Sequence, residues 1–208
     1  MEPKSRIRRE VMEKRDALSP EARTVKSREI CRRLSESLLF RESDIIAGYS
    51  AIRSEVDLSS LLDFSLREGK ALFLPKVSGD DMEFYRMNDL QNLAEGPFHV
   101  MEPRVDENVV SLPAFLKQLR SDSDVRVCVL TPGVAFSGKG LRIGYGKGYY
   151  DRYLPRLFGR GISIMTVGIG YELQVVDDFS GEKTDWKMNY IVTENREVCC
   201  DDGIGIVM

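Results

Sequence analysis

The sequence predicts an α/β fold: a single domain over residues 1–208, built on a mainly parallel β-sheet flanked by helices on both faces. Three observations predict it. Short apolar runs at 44–52, 125–130 and 163–171 alternate with stretches of helical periodicity. The run from Val125 to Leu130 feeds directly into a glycine-rich turn followed by a helical segment, the order of a strand–loop–helix unit. No internal repeat, linker or low-complexity stretch divides the chain.

Each element follows from local chemistry. Residues 3–17 read as a helix, with Lys4, Arg8 and Arg15 on one face and Ile7, Val11 and Leu18 on another. Ser19-Pro20 reads as an N-cap with proline in the first turn, opening a second helix to about Leu39. Asp44 to Ile52 is the first strand; Asp57 then caps a helix over 58–68 that Gly69 stops. Lys70 to Val77 is a second strand, and 81–87 alternates as a half-exposed third. The stretch 88–113 is turn-rich, with Gly96-Pro97, Glu102-Pro103 and Leu112-Pro113. A short helix over 113–120 precedes the strand 125–130, and a helix over 146–158 follows the glycine loop. Ser163 to Tyr171 and Asn189 to Val198 supply the last strands. In a parallel sheet of this kind ligands lie beyond the carboxyl ends of the strands. That puts Glu55, Pro75 with Lys76, and the glycine loop along one rim.

Composition narrows the function classes. Of 208 residues, 42% are apolar and 30% charged, as in soluble globular proteins, and the net charge of −3 argues for neither nucleic acid nor an acidic membrane. Residues 1–33 carry eleven Lys/Arg against six Asp/Glu, a net of +5, which leaves −8 for the rest. Residues 1–39 contain no Phe, Tyr or Trp, so these basic helices lack the stacking platforms of an RNA-binding surface. Neither a membrane span nor a signal peptide is expected. Cys31, Cys128, Cys199 and Cys200 show no CxxC spacing, so metal or disulfide use is not expected and a reducing cytoplasm fits. His99 is the only histidine, which argues against Ser–His or Cys–His nucleophilic catalysis. Trp186 reads as a packing anchor.

The chemistry concentrates in TPGVAFSGKGLRIGYGKGYYDR, residues 131–152, with six glycines, four basic residues, three tyrosines and an aspartate. Glycines let a backbone approach an anion closely, and a helix N-terminus adds unpaired N–H groups and a positive dipole end. Arg142 and Lys147 supply full charges, and Asp151 is placed to hold the magnesium of a nucleotide. The loop fails both common fingerprints: Gly146-Lys147 is followed by glycine rather than Ser/Thr, and Gly144, Gly146 and Gly148 alternate as G-x-G-x-G. A solvated surface turn is the alternative on these residues alone.

Several separated segments together resemble the 5-formyltetrahydrofolate cyclo-ligases, also called methenyltetrahydrofolate synthetases. They are KSRIR at 4–8, Ser19-Pro20-Glu21, Tyr49, Glu55-Val56-Asp57, Met82-Glu83-Phe84, GPFHVMEP at 96–103, the glycine block, Asp185 and Ile191-Val192-Thr193-Glu194. The chain departs from the family pattern at Ser137, usually Asp, and His99, usually Gly, and no family motif lies beyond Glu194.

The resemblance implies a monomeric cytoplasmic enzyme. It would turn 5-formyltetrahydrofolate and MgATP into 5,10-methenyltetrahydrofolate, ADP and phosphate, with no nucleic-acid or membrane partner. Phosphorylation of the formyl oxygen makes a leaving group that nitrogen 10 can displace. The resemblance assigns ATP to Lys4, Arg8, Arg142, Ile143, Gly144, Tyr145, Gly146, Lys147, Gly148, Tyr149 and Tyr150, and Mg²⁺ to Asp151 and Asp185. Ser50, Glu55, Phe84 and Tyr149 would meet the folate, with Tyr85 beside Phe84. Glu55, Arg142, Lys147 and Tyr150 would act in catalysis. A folate- or nucleotide-binding module without turnover, and a small-molecule kinase using the same loop, are the rival readings.

Overall fold

The computed structural model describes residues 4–96, 100–119, 125–158, 163–177, 179–182 and 184–200. His99 and the tail from 201 lie outside the described residues. The architecture is α/β, with a seven-stranded, mainly parallel sheet between two layers of helices.

Helix α1 (Lys4–Asp16) and helix α2 (Pro20–Glu36) form where the periodicity predicts them. The Ser19 hydroxyl accepts from Ala22 N at 3.1 Å, the cap the sequence foretells. Helix α2 stops earlier than expected because Ser37 turns extended, at φ −75 and ψ 155, and a separate short helix α3 (Leu38–Arg41) follows. Strand β1 is only Ile45–Ala47, since the chain leaves the sheet at Gly48. Helix α4 (Ser59–Arg67) starts one residue later than expected, so Leu58 and not Asp57 is its N-cap residue; Asp57 Oδ1 still accepts from Ser59 N at 2.9 Å in the turn that leads in, and Gly69 at φ 73 ends the helix.

Strands β2 (Ala71–Ser78) and β3 (Asp81–Met87) form an antiparallel hairpin. Pro75 and Lys76 therefore lie within β2 rather than on a turn beyond it. Proline is tolerated there because β1 pairs only with 71–73, so one side of β2 is already free at Pro75. The turn-rich stretch holds a small hairpin, β4 (Leu93–Glu95) with β5 (Met101–Pro103), ahead of helix α5 (Leu112–Gln118).

Strand β6 (Arg126–Pro132) enters the glycine block, part of which is itself strand: β7 (Ala135–Ser137) and β8 (Arg142–Ile143) pair antiparallel. Helix α6 (Tyr149–Phe158) begins three residues later than expected, because Gly146 and Gly148 hold φ values of 97 and 66, outside the helical region. Strand β9 (Ser163–Ile169) follows, then β10 (Val175–Val176) on the far side of β7.

The expected single strand 189–198 is two strands. Strand β11 (Tyr190–Val192) runs parallel to β9, and β12 (Glu197–Cys199) returns antiparallel. Thr193 makes the reversal: its Oγ1 accepts from Asn195 N at 3.2 Å and Arg196 N at 3.1 Å.

The main sheet runs β12-β11-β9-β6-β1-β2-β3, parallel from β11 through β2, with an antiparallel strand at each edge. Alternation along the strands divides the core. Ile46, Leu72, Cys128, Leu130 and Val167 face α2, α3 and α4, while Ala47, Phe73, Val129 and Ile191 face α5 and α6. Helix α1 covers neither face. Its Ile7 and Val11 pack on Val134, Ala135, Ile143 and Phe179, over the small sheet β10-β7-β8. The basic helix is thereby docked on the glycine block.

Candidate functional site

Three rim segments meet beyond the carboxyl ends of the parallel strands: the turn 48–57 after β1, the glycine block after β6, and residues 184–186 before β11. Helix α1 reaches across all three. Arg8 Nε donates to Gly144 O at 2.8 Å, and Lys4 Nζ lies 2.5 Å from Asp185 Oδ2 and 3.1 Å from Glu182 Oε1. Burial disfavours the Lys4 charge, but its bonds to Asp185 and Glu182 outweigh this and raise its pKa.

Arg142 and Asp151 form a second cation–carboxylate pair, with Nη2 to Oδ1 at 3.0 Å. The guanidinium is buried against Tyr150, 5.3 Å from the ring centroid, and Nη1 donates to Pro132 O at 3.3 Å. Its Nε is buried with no partner, an orphan donor beside the glycine loop. Trp186 N donates to Asp151 Oδ1 at 3.4 Å, which brings Trp186, and Asp185 beside it, to the start of α6. Trp186 itself packs on Phe158 at 4.5 Å between centroids.

Glu55 is buried on the opposite side of the loop. Its Oε2 accepts from Ile52 N at 3.0 Å. Burial pushes its carboxyl up to about 7, against the opposing pull of the Ile52 N–H, of Arg15 and of the Tyr145 hydroxyl. Tyr49 and Tyr150 are driven further from ionisation, again by burial first.

The remaining expected residues are distributed unevenly. Lys147 is exposed at the tip of the loop, where its carbonyl accepts from Arg152 Nη1 at 2.7 Å. Gly146 and Gly148 supply the positive φ the loop requires. Tyr149 is half-buried and donates to Gly79 O at 3.2 Å, reaching the β2–β3 hairpin. Ser50 is half-buried in the turn after β1. Ile143 is committed elsewhere: its side chain is core and its carbonyl accepts from Val134 N at 2.7 Å. Phe84 is fully buried among Tyr150 and Tyr153, which leaves no ring surface for a ligand in this conformation. The alternation that made β3 look half-exposed points Phe84 at α6, whereas Tyr85 is half-buried on the other side.

Ser137 keeps its turn intact. Its buried Oγ accepts from Lys139 N and Leu141 N, both at 3.3 Å, the work a carboxylate would do there.

Sequence reasoning placed Arg15 on the charged face of α1 with no role, and the structure buries it completely against Ser54, Gly133 and Tyr145. Positions 4, 8 and 15 share one helical face, so the spacing already aimed all three at the same rim. Gln174, also unforeseen, fixes the turn after β6 by donating to Gly133 O at 2.8 Å and Val134 O at 3.0 Å.

The site's donor set fits a magnesium nucleotide. Two carboxylates from separate elements suit a cation that keeps water and phosphate oxygens as its other ligands. Among the described residues no three His, Cys, Asp or Glu side chains form a complete protein cage. The glycine loop, the orphan Arg142 Nε and the charges of Lys4, Arg8 and Lys147 surround the place where phosphates would lie. A cavity of about 300 Å³ lined by Leu38, Leu39, Arg126 and Tyr190 opens at the amino ends of β6, β9 and β11, away from the rim, and contains none of these residues. Among the described residues no helix is long and apolar enough to cross a membrane.

Residues 1–194 match the 5-formyltetrahydrofolate cyclo-ligase family. Relatives described as 5-formyltetrahydrofolate cyclo-ligase include one from Saccharomyces cerevisiae, 26% identical over 98% of this chain and 97% of its own length. One from Escherichia coli is 26% identical over 89% of this chain and 97% of its own. Among solved structures, the 5,10-methenyltetrahydrofolate synthetase of Aquifex aeolicus superposes with a TM-score of 0.78 at 34% identity, covering 99% of this chain and 96% of that one. A synthetase from Mycoplasma pneumoniae, at 24% identity and a TM-score of 0.68 over 93% of this chain and 99% of its own, shares the fold.

Proposed function

Because the chain belongs to the 5-formyltetrahydrofolate cyclo-ligase family, a family of enzymes, we propose that it uses MgATP to convert 5-formyltetrahydrofolate into 5,10-methenyltetrahydrofolate, releasing ADP and phosphate. The observation that carries this reading is the joining of two chemically different half-sites on one rim. A buried carboxylate, Glu55, lies on one side, and on the other a glycine loop is flanked by Arg142, Asp151, Lys4 and Asp185.

A formamide oxygen is a poor leaving group. Its phosphorylation gives an iminium phosphate that nitrogen 10 attacks, and phosphate then departs. Phosphoryl transfer of this kind needs alignment and charge neutralisation more than covalent help. Lys4 and Arg8, one helical turn apart on α1, address the phosphates from one side, and Arg142 and Lys147 from the other. Loop backbone N–H groups add neutral donors. Magnesium, held by Asp151 and Asp185, would neutralise phosphate charge. Glu55 orients the pterin and formyl nitrogen, with Ser50 and Tyr149 at the same opening. Tyr150, its hydroxyl kept neutral by burial, is a donor rather than a base.

The test is near-ultraviolet absorbance with 5-formyltetrahydrofolate and MgATP, read beside ADP release. ATP-dependent growth of the methenyl band with matching ADP is the expected result. Binding of both ligands with no product would replace this reading with a non-catalytic module, and a stable phosphorylated product would point to a kinase.

A further inference from the structure

Arg15 belongs to the helix whose Lys4 and Arg8 face the glycine block, yet none of its surface reaches solvent. Its Nε donates to Ser54 Oγ at 3.0 Å, Nη1 to Gly133 O at 3.3 Å and Nη2 to the Tyr145 hydroxyl at 2.5 Å. These direct partners are neutral oxygens. Negative charge lies beyond these hydroxyls in two directions: the Asp16 carboxylate past Ser54, and the Glu55 carboxyl, whose ionisation the Arg15 charge and the Tyr145 hydroxyl both favour. Ser54, one residue before Glu55, donates in turn to Asp16 of α1. Two guanidiniums approach the Tyr145 ring, Arg15 at 5.7 Å and Arg53 at 5.9 Å from its centroid. Arg53 holds φ 54, a conformation unusual for a side-chain-bearing residue.

A buried guanidinium costs several kcal/mol of desolvation, and apolar side chains of similar volume pack as well or better. Packing is therefore a poor account of Arg15. What the guanidinium does that no apolar side chain can is join α1, the turn bearing Glu55, the end of β6 and the glycine loop through directed hydrogen bonds. We propose that Arg15 is a positioning residue: acting through the Tyr145 hydroxyl, it fixes the Glu55 carboxylate and the nucleotide loop in one shared geometry. The reaction through which this shows rests on the function proposed above.

The groups facing Glu55 single out Arg15. Tyr145 comes from the glycine loop, Tyr49 from the end of β1 and Tyr150 from α6, and the Tyr171 hydroxyl touches the Glu55 carbonyl at 3.2 Å. Burial keeps these phenols neutral in the working range. Arg53, in the same turn, is exposed and screened by water. The buried charge of Arg15 opposes the effect of burial on the Glu55 carboxyl.

The experiment compares the full-length wild type with R15M, R15K and Y145F. Two quantities are read: the Glu55 carboxyl titration by ¹³C NMR, assigned by its loss in E55Q, and the pH profile of kcat/KM for 5-formyltetrahydrofolate. In R15M and Y145F, Glu55 is expected to titrate about one pH unit higher, with a loss of about fivefold near neutral pH that alkaline pH restores, and R15K lies between. An unmoved Glu55 titration with a pH-independent loss would reduce Arg15 to a structural residue and overturn the proposal. Should R15M fail to fold, Y145F, which removes one oxygen atom, decides alone. Should the wild type make no methenyl product, the proposed function fails, and the Glu55 titration still decides the role of Arg15.

Discussion

Glu55→Gln separates stability from chemistry at the same side chain. The carboxyl is displaced from 4.5 to about 7 by burial in the folded protein. Folded chains therefore keep a proton on Glu55 that unfolded chains have already lost between these values. Stability falls as pH rises through that window, and the cost is complete above it. At about 1.4 kcal/mol per pH unit, the full displacement costs on the order of 3 kcal/mol, of which roughly 2 to 3 develops between about pH 5 and about pH 8. Glutamine keeps an oxygen to accept from Ile52 N and has no charge to bury. Its extra amide hydrogens add an offset that does not depend on pH. The measurement is urea unfolding of wild type and variant at both pH values, followed by the fluorescence of Trp186. Other titrating groups cancel in the comparison. The variant is expected to gain roughly 2 to 3 kcal/mol relative to wild type between the two conditions, while folate turnover collapses. An identical stability difference at both pH values would show that Glu55 does not hold a shifted proton, and the reasoning on its environment would be wrong.

Lys147→Ala is expected to leave unfolding within about 0.5 kcal/mol of wild type, because the side chain is exposed, while raising KM for MgATP about tenfold. Unchanged ATP kinetics would remove it from the site. Phe84→Ala is expected to destabilise by about 3 to 5 kcal/mol, given its full burial. A stable variant with a raised folate KM would instead put Phe84 on the substrate. Lys4→Met is expected to change stability by under about 1 kcal/mol, since the pair with Asp185 is partly solvated, yet to weaken MgATP use in steady-state kinetics. Chelation of magnesium is expected to stop turnover without moving the melting temperature, because Asp151 and Asp185 already have Arg142 and Lys4 as partners. A melt lowered by chelator would reveal a structural metal.

Elements with a local cause were legible in the sequence. Ser19-Pro20 capped α2, Asp57 held the turn into α4 and Gly69 ended that helix. What failed depended on partners far along the chain. Strand β1 is short because the sheet needs only Ile45–Ala47, and the apolar residues beyond it serve the rim. The reversal at Thr193 was masked by apolar residues on both sides of it, although Thr-Glu-Asn is itself a turn signal. At the site, the glycine block declared its chemistry through composition. Phe84 and Tyr85 are adjacent and alike, and only the direction of the β3 pleat separates a core ring from one that is half-buried. Arg15 was hidden by a general expectation: a charged residue on an amphipathic helix is usually solvated, and only the docking of α1 on the small sheet buries this one.

The pairing of charges at the nucleotide side has a consequence for binding. Lys4 with Asp185 and Arg142 with Asp151 neutralise one another. A site of unpaired cations would attract any polyanion, and a site of unpaired carboxylates any divalent metal. Here either ligand alone must break ion pairs and leave the opposite charges without partners. Phosphate oxygens bound without magnesium would strand Asp151 and Asp185, and magnesium bound without phosphates would strand Arg142 and leave Lys4 only the exposed Glu182. On the proposed function, MgATP would exchange both pairs at once, the phosphates taking the cations and the metal taking the carboxylates. On the proposed function, selectivity for the metal–nucleotide complex over its components thus follows from the internal pairing, because an uncompensated charge in a partly buried site costs more than a pair exchanged for a pair.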